Sequence, residues 1–270
     1  MSTALFRHEG DLYHPTENAQ GPWSPDYLHG GSPAGLLASV LEPTGTDGGL
    51  RLARFTLDLL RPVPTAPLSV RVETVREGRR LRLLQGDLFA GDVLVCRATA
   101  LYLEQVPLEV PEWARFQSGG LPPREPGVQA SLADLAARGE REPLPLPGLH
   151  HTVAVTLVDG VEGRGQGRVW MRLPVPVVEG QGCSPSVQAA TLSDFGNGVG
   201  QLQVKKNTGS INADISLYLY REPEGEWLGL DALARMHSNG NGLVETMLHD
   251  EHGPVGRVLQ ATLAMPVYSA

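Results

Sequence analysis

Cysteine is almost absent: Cys96 and Cys183 are the only two in 270 residues. Two thiols cannot build a disulfide framework, which points to a reducing compartment. No apolar run approaches the ~18 residues that a membrane helix needs. Met1 to Gly10 hold no apolar stretch of signal-peptide length. The expectation is a cytoplasmic protein without a membrane span. An excess of positive charge is also missing, with Lys+Arg 22 against Asp+Glu 30 and a formal net charge of -8. Such a chain repels phosphate backbones, so nucleic acid is not an expected partner. The short cluster Arg79-Arg80-Leu81-Arg82 reads as the solvated face of a strand. Helical periodicity is scarce as well.

What the chain does have is glycine (32), proline (22) and an ordinary 41% of hydrophobic residues, enough for cores in two domains. Short alternating runs, such as Leu68 to Val75, Leu81 to Leu84 and Val93 to Tyr102, read as antiparallel strands with one buried face. Turn signals separate them: Arg76-Glu77-Gly78, Ala90-Gly91-Asp92, Asn239 to Gly242 and His252-Gly253-Pro254. Five prolines between Pro107 and Pro126 mark a linker.

Two segments break the β pattern, Ser32 to Glu42 and Ser184 to Asp194. Each opens Ser-Pro, an N-cap followed by proline in the first turn. Each is small and apolar around most of its circumference, as a helix buried on several sides would be. They lie 152 residues apart (184 − 32). Thr56 to Arg61 resembles Ser216 to Arg221 at 160 residues (216 − 56), and Arg97-Ala98-Thr99 resembles Gln260-Ala261-Thr262 at 163 (260 − 97). Three matches in one order argue for an internal duplication. The expected fold is α+β, a double hot-dog: two antiparallel sheets, each wrapped around a central helix and joined edge to edge.

At this point the residues resemble the acyl-CoA thioesterase II family. The carriers in the first half are Gly30-Gly31 before a small-residue helix, Leu59 to Pro62, and Val72 to Gly78. In the second they are Leu192-Ser193-Asp194, Asn212 to Ser216 with Arg221, and Val258-Leu259-Gln260. The resemblance implies an N-terminal hot-dog domain over 1–106, a connecting segment over 107–148 and a C-terminal hot-dog domain over 149–270. It implies an acyl-CoA or acyl-pantetheine substrate, no metal or cofactor, and a homo-oligomer of double hot-dog units. It carries the family's Asp at the end of the second helix, hydroxyl residue on the next strand and Gln on the last strand onto Asp194, Asn212 and Gln260. Asn212 departs from the usual threonine or serine, but an amide can also hold a water.

The chemistry fits these groups. A carboxylate such as Asp194 can take a proton from water, a role typically worth ~10²–10⁴ in rate, while Asn212 and Gln260 orient that water. Backbone N–H groups at Gly30 and Gly31 suit an oxyanion site at a helix entrance, with His29 beside it as a ligand contact. Two other readings stay open: an acyl-thioester hydratase or dehydratase, and a non-catalytic acyl-thioester or lipid-binding module. The hydratase reading needs a histidine near a central helix, and neither 32–42 nor 184–194 contains one.

Other motifs are set aside. Gly30-Gly31-Ser32-Pro33-Ala34 lacks the final glycine of a nucleophile elbow. His249-Asp250-Glu251-His252 reads as a solvated turn, not a metal pair. Gly163-x-Gly-x-Gly167 has no helix after it. Cys183 reads as a packing residue. Arg54, Arg61 and Arg221 are candidates for a local basic patch on the CoA phosphates. By the repeat, Asp194, Asn212 and Gln260 correspond to Glu42, Leu52 and Arg97, so the second half alone carries the polar set.

Overall fold

The computed structural model describes residues 4–116, 120–124, 131–132, 147–160, 163–204 and 208–266. Part of the proline-rich connection lies outside them. Among the described residues thirteen strands form a single sheet, all neighbours antiparallel, in the order β1-β2-β4-β5-β6-β3-β10-β13-β12-β11-β8-β7, with β9 added beside β13. The first half contributes β1 (Phe6–Glu9), β2 (Leu12–Pro15), β3 (Arg51–Leu59), β4 (Leu68–Glu77), β5 (Leu81–Ala90) and β6 (Val93–Leu103). The second contributes β7 (Ala154–Gly160), β8 (Gln166–Arg172), β9 (Thr208–Asn212), β10 (Asp214–Leu219), β11 (Leu228–Met236), β12 (Asn241–Asp250) and β13 (Gly253–Pro266). The anticipated strands fall within β4, β5 and β6. The strands of the two halves meet edge to edge at β3 and β10, and run on as one continuous sheet without a break.

That seam reveals the repeat. Thr56 lies directly opposite Ser216, the two positions matched by sequence. Outward from the seam the order is β3, β6, β5, β4 on one side and β10, β13, β12, β11 on the other. Thr56 faces Thr99 across β3–β6, and Ser216 faces Leu259 across β10–β13. The register therefore keeps the 160-residue spacing of the seam (216 − 56) through β6 and β13. This corrects the third sequence match. Arg97, opposite Asp58, corresponds to Arg257, opposite Tyr218, and Gln260 corresponds to Ala100. A three-residue slip would move an outward side chain to the inner face, because strand side chains alternate. Arg97 does point outward, onto Asp87, whereas Gln260 is fully buried. The pairing of Asn212 with Leu52 holds: Asn212 faces Thr262 and Leu52 faces Tyr102.

The first helix, α1 (Gly31–Thr46), is longer than expected and starts one residue earlier. Ser32 is not its cap; the hydroxyl donates to the Ala19 carbonyl at 2.8 Å. Residues 31–39 are all buried, and α1 packs on β3, β5 and β6. Leu36, Leu37 and Leu41 are fully enclosed, each worth about 1.5–3 kcal/mol of burial. Arg82 departs from the solvated reading. It is 8% exposed, and its guanidinium donates to the Thr44 and Asp47 carbonyls. A cation there suits the negative end of α1.

A short helix, α2 (Leu149–Thr152), precedes β7. The second expected helix is α3 (Pro185–Leu192), followed by a 3-10 turn over Ser193–Phe195 and the single turn α4 (Gly196–Val199). Here the cap prediction holds: Ser184 Oγ accepts from the Val187 N–H at 3.1 Å. α3 packs chiefly against α1, while α4 lies on β8, β11 and β12.

Candidate active site

The helix pair places a carboxylate at each end. Asp194, in the turn after α3, sits against the entrance of α1. A Cβ on Gly30 would come within 2.8 Å of its Oδ2 and 2.9 Å of its Oδ1. At the other end Glu42, on α1, accepts from the hydroxyl of Ser184, the cap of α3. Each N-terminal helix dipole thus meets an acid from the opposite half.

Around Asp194 three of the anticipated residues converge. His29 Nδ1 lies 2.9 Å from Asp194 Oδ2. Asn212 Nδ2 donates to Asp194 Oδ1 at 2.8 Å. The Gly31 N–H lies 3.1 Å from the same His29 Nδ1 and also within reach of the Asp194 carboxylate. One imidazole nitrogen cannot donate and accept at once. We assign the proton to Nδ1, donating to Asp194, because a carboxylate does not sit 2.9 Å from a lone pair; the Gly31 N–H then turns to the carboxylate. The N–H groups expected to face an oxyanion are therefore partly engaged inside the protein. His29 is 12% exposed and Asp194 8%, and Phe195 stacks on the imidazole at 4.5 Å.

Gln260 does not reach the carboxylate. Its Nε2 donates to the Asp194 main-chain carbonyl at 3.5 Å, from the inner face of β13. Burial alone would push the Asp194 carboxyl up. The attraction of His29, its bond, the Asn212 amide and the Gly31 N–H outweigh burial and hold it below the usual carboxylate value. Glu42 shows the reverse: burial pushes it up, the Ser184 bond only partly opposing.

Sequence reasoning missed two neighbours. Cys96 is fully buried, and burial, then the charges of Asp194 and Asp58, push its thiol up to about 12. Thr246 faces inward on β12, 1% exposed. The signal for Thr246 was a polar residue at an inward alternation point. Cys183 is also held as a thiol, pushed up to about 11 by burial. His249 and His252 diverge: His249 is 2% exposed, while His252 points outward near Glu224 at 3.6 Å. Arg221 is not free for a phosphate, since both its amino groups bond the buried Asp250.

An antiparallel sheet of paired halves with an acid–amide–imidazole cluster at the helix entrance defines a hot-dog protein with a polar site between its halves. The comparisons carry this further. Residues 19–103 match the model of the acyl-CoA thioesterase N-terminal domain, and residues 130–264 that of the C-terminal domain. The chain belongs to this acyl-CoA thioesterase family. Among solved structures it is similar to a hot-dog fold protein of Alicyclobacillus acidocaldarius, with TM-score 0.68 and 16% identity over 97% of this chain and 96% of that one. It is also similar to acyl-CoA thioesterase II TesB2 of Mycobacterium marinum, with TM-score 0.65 and 18% identity over 99% and 98%. The dehydratase domain from the CurJ module of curacin polyketide synthase shares the fold at TM-score 0.53 and 13% identity over 91% and 88%. No curated protein matches. Among the described residues no helix is long and apolar enough to cross a membrane.

Proposed function

We propose that the chain hydrolyses acyl-CoA thioesters to free fatty acid and CoA, with Asp194 as general base. A water beside Asp194 gives it a proton and attacks the thioester carbon. The tetrahedral oxyanion collapses and expels the CoA thiolate, which takes up a proton. Asn212 fixes the carboxylate, Gln260 fixes the main chain that carries it, and the positive end of α1 at Gly30 and Gly31 favours the oxyanion. The carrying observation is that His29 and Asn212 hold both oxygens of Asp194 at the α1 entrance. Two protonated thiols argue for a water rather than a cysteine nucleophile. The same proposal includes hot-dog units over 1–106 and 149–270 joined by 107–148, a central helix wrapped by sheet in each unit, assembly into a homo-oligomer, and a cytoplasmic setting. The test is release of free thiol from a panel of acyl-CoAs. Binding without release from any of them would favour the lipid-binding module.

One observation favours a second reading. No histidine lies within either helix, yet His29 at the α1 entrance pairs with Asp194 across the halves. A histidine and a carboxylate so placed form an acid/base pair of the kind that hydration or dehydration of an acyl thioester requires. Loss of enoyl-thioester absorbance without thiol release would select this reading.

A further inference from the structure

A closed loop leads into α1 and carries two exposed aromatic side chains. Trp23 is 71% exposed and Tyr27 44%, whereas Trp170 and Trp227 are buried, as so large a side chain mostly is. The loop is not slack. The Gly21 N–H donates to the Tyr27 carbonyl at 2.9 Å, the Tyr27 N–H to the Ser24 carbonyl at 3.3 Å and the Thr65 N–H to the Asp26 carbonyl at 2.9 Å. The Asp26 N–H donates to Ser24 Oγ at 3.1 Å. The stem of the loop lies against the site: a Cβ on Gly21 would meet the His29 main-chain nitrogen at 3.2 Å. Trp23 is two residues from Gly21, so its Cα lies within about 7 Å of that stem. An indole held in water this way is preorganised for a flat partner.

A free cation borders the same entrance. Arg61 is exposed, and among the described residues its guanidinium has no bonded partner. Two backbone contacts fix its place. Leu59, two residues before it, donates to the Ala213 carbonyl at 3.0 Å, beside Asn212. On the loop side Tyr27 pairs with Pro64 in antiparallel register and Leu28 donates to the Val63 carbonyl at 2.8 Å; continued, that register sets Arg61 level with Gly30. The repeat shows why this arginine is free. Its counterpart Arg221 bonds the buried Asp250 with both amino groups. Asp250 faces Gly253, and at the equivalent point of the first half Ala90 faces Val93, so the partner acid is missing.

We propose that the loop and Arg61 form a nucleotide subsite, where the adenine ring of CoA stacks on Trp23 and a CoA phosphate pairs with Arg61. The assignment rests on the reading of the chain as an acyl-CoA hydrolase. Charge divides the two roles. The loop's own ionisable acid, Asp26, repels a phosphate, so the loop suits an uncharged ring. The guanidinium of Arg61 presents a fork that matches phosphate oxygens.

The test sets an acyl-CoA against the S-acyl-pantetheine with the same acyl group, which lacks the nucleotide, in the full chain and its variants. Trp23→Ala should raise KM for acyl-CoA about tenfold with kcat little changed, and should leave KM for acyl-pantetheine where it was. Trp23→Phe keeps a ring and should keep most of the affinity. Arg61→Gln should raise KM for acyl-CoA severalfold at low salt, with the gap to wild type closing at high salt. Trp113→Ala, which removes an indole 84% exposed on the connecting segment, should change neither KM. An unchanged KM for acyl-CoA in Trp23→Ala, equal losses on the two substrates, or an equal effect of Trp113→Ala would overturn the subsite. Calorimetric binding of CoA itself separates this outcome from failure of the hydrolase reading. A wild type that releases no thiol, yet binds CoA about tenfold more tightly than Trp23→Ala does, would end the hydrolase reading and uphold the subsite. Equal binding of CoA by both chains, or binding by neither, would overturn the subsite.

Discussion

The two ends of the α1–α3 pair are related by the repeat and have opposite electrostatics. At one end Asp194 meets a glycine entrance, an imidazole and an amide, and is held ionised. At the other Glu42 meets a serine cap, and burial pushes it toward the neutral form. The backbone places an acid at both helix entrances; what differs is what surrounds each acid. Around Asp194 the sheet contributes Asn212, Thr246 and Gln260, where the first half has Leu52, Gly86 and Ala100. A duplicated scaffold thus supplies the same helix-end geometry twice, and side-chain choice makes one copy a polar site and the other a packed joint.

This contrast can be broken first at the glycine entrance. Gly30 has φ -58° and ψ -27°, ordinary helical values, so Gly30→Ala strains no backbone. Its Cβ would come within 2.8 Å of the carboxylate and push it aside. We expect kcat to fall by about 10- to 100-fold with the circular-dichroism spectrum unchanged. Retained turnover would mean that Asp194 need not sit against α1.

A smaller effect sharpens the comparison by removing the imidazole. His29→Asn deletes the attraction that offsets burial at Asp194. The acid limb of the kcat profile, which in the wild type should lie below the usual carboxylate range, should then move to higher pH. A limb that stays in place would separate His29 from the charge state of Asp194. Loss of all activity together with loss of enoyl hydration would favour the acid/base reading.

The smallest effects are in stability, with opposite signs at the two ends. The Asp194 carboxyl is lowered by folding, so its contribution is present above the unfolded carboxylate value and lost as pH falls through the folded one. The Glu42 carboxyl is raised, so its contribution is present below the unfolded value and lost as pH rises through the folded one. Glu42→Gln should therefore raise Tm at neutral pH relative to wild type, with the gain shrinking in acid. A gain that grew in acid would reverse the assignment.

Much of this was legible in the sequence, and the limits have physical reasons. Alternating runs located β4, β5 and β6, and Ser184-Pro185 located the start of α3. The resemblance of Arg97-Ala98-Thr99 to Gln260-Ala261-Thr262 misled, because a short match ignores which face a side chain occupies. The register, with its period of two, corrected it. Asp194, Asn212 and His29 could be named from motif order, but their meeting depends on α1 and α3 lying side by side, which no local pattern encodes. Arg82 looked like surface because its partners are the carbonyls of Thr44 and Asp47, which carry no sequence signature.

The most direct test of the asymmetry is thiol release from one acyl-CoA by Asp194→Asn and Glu42→Gln, measured side by side with wild type. Asp194→Asn should lose about 10²-fold or more in kcat, and Glu42→Gln should turn over close to wild type. Turnover abolished by Glu42→Gln and spared by Asp194→Asn would place the site at the wrong end of the helix pair.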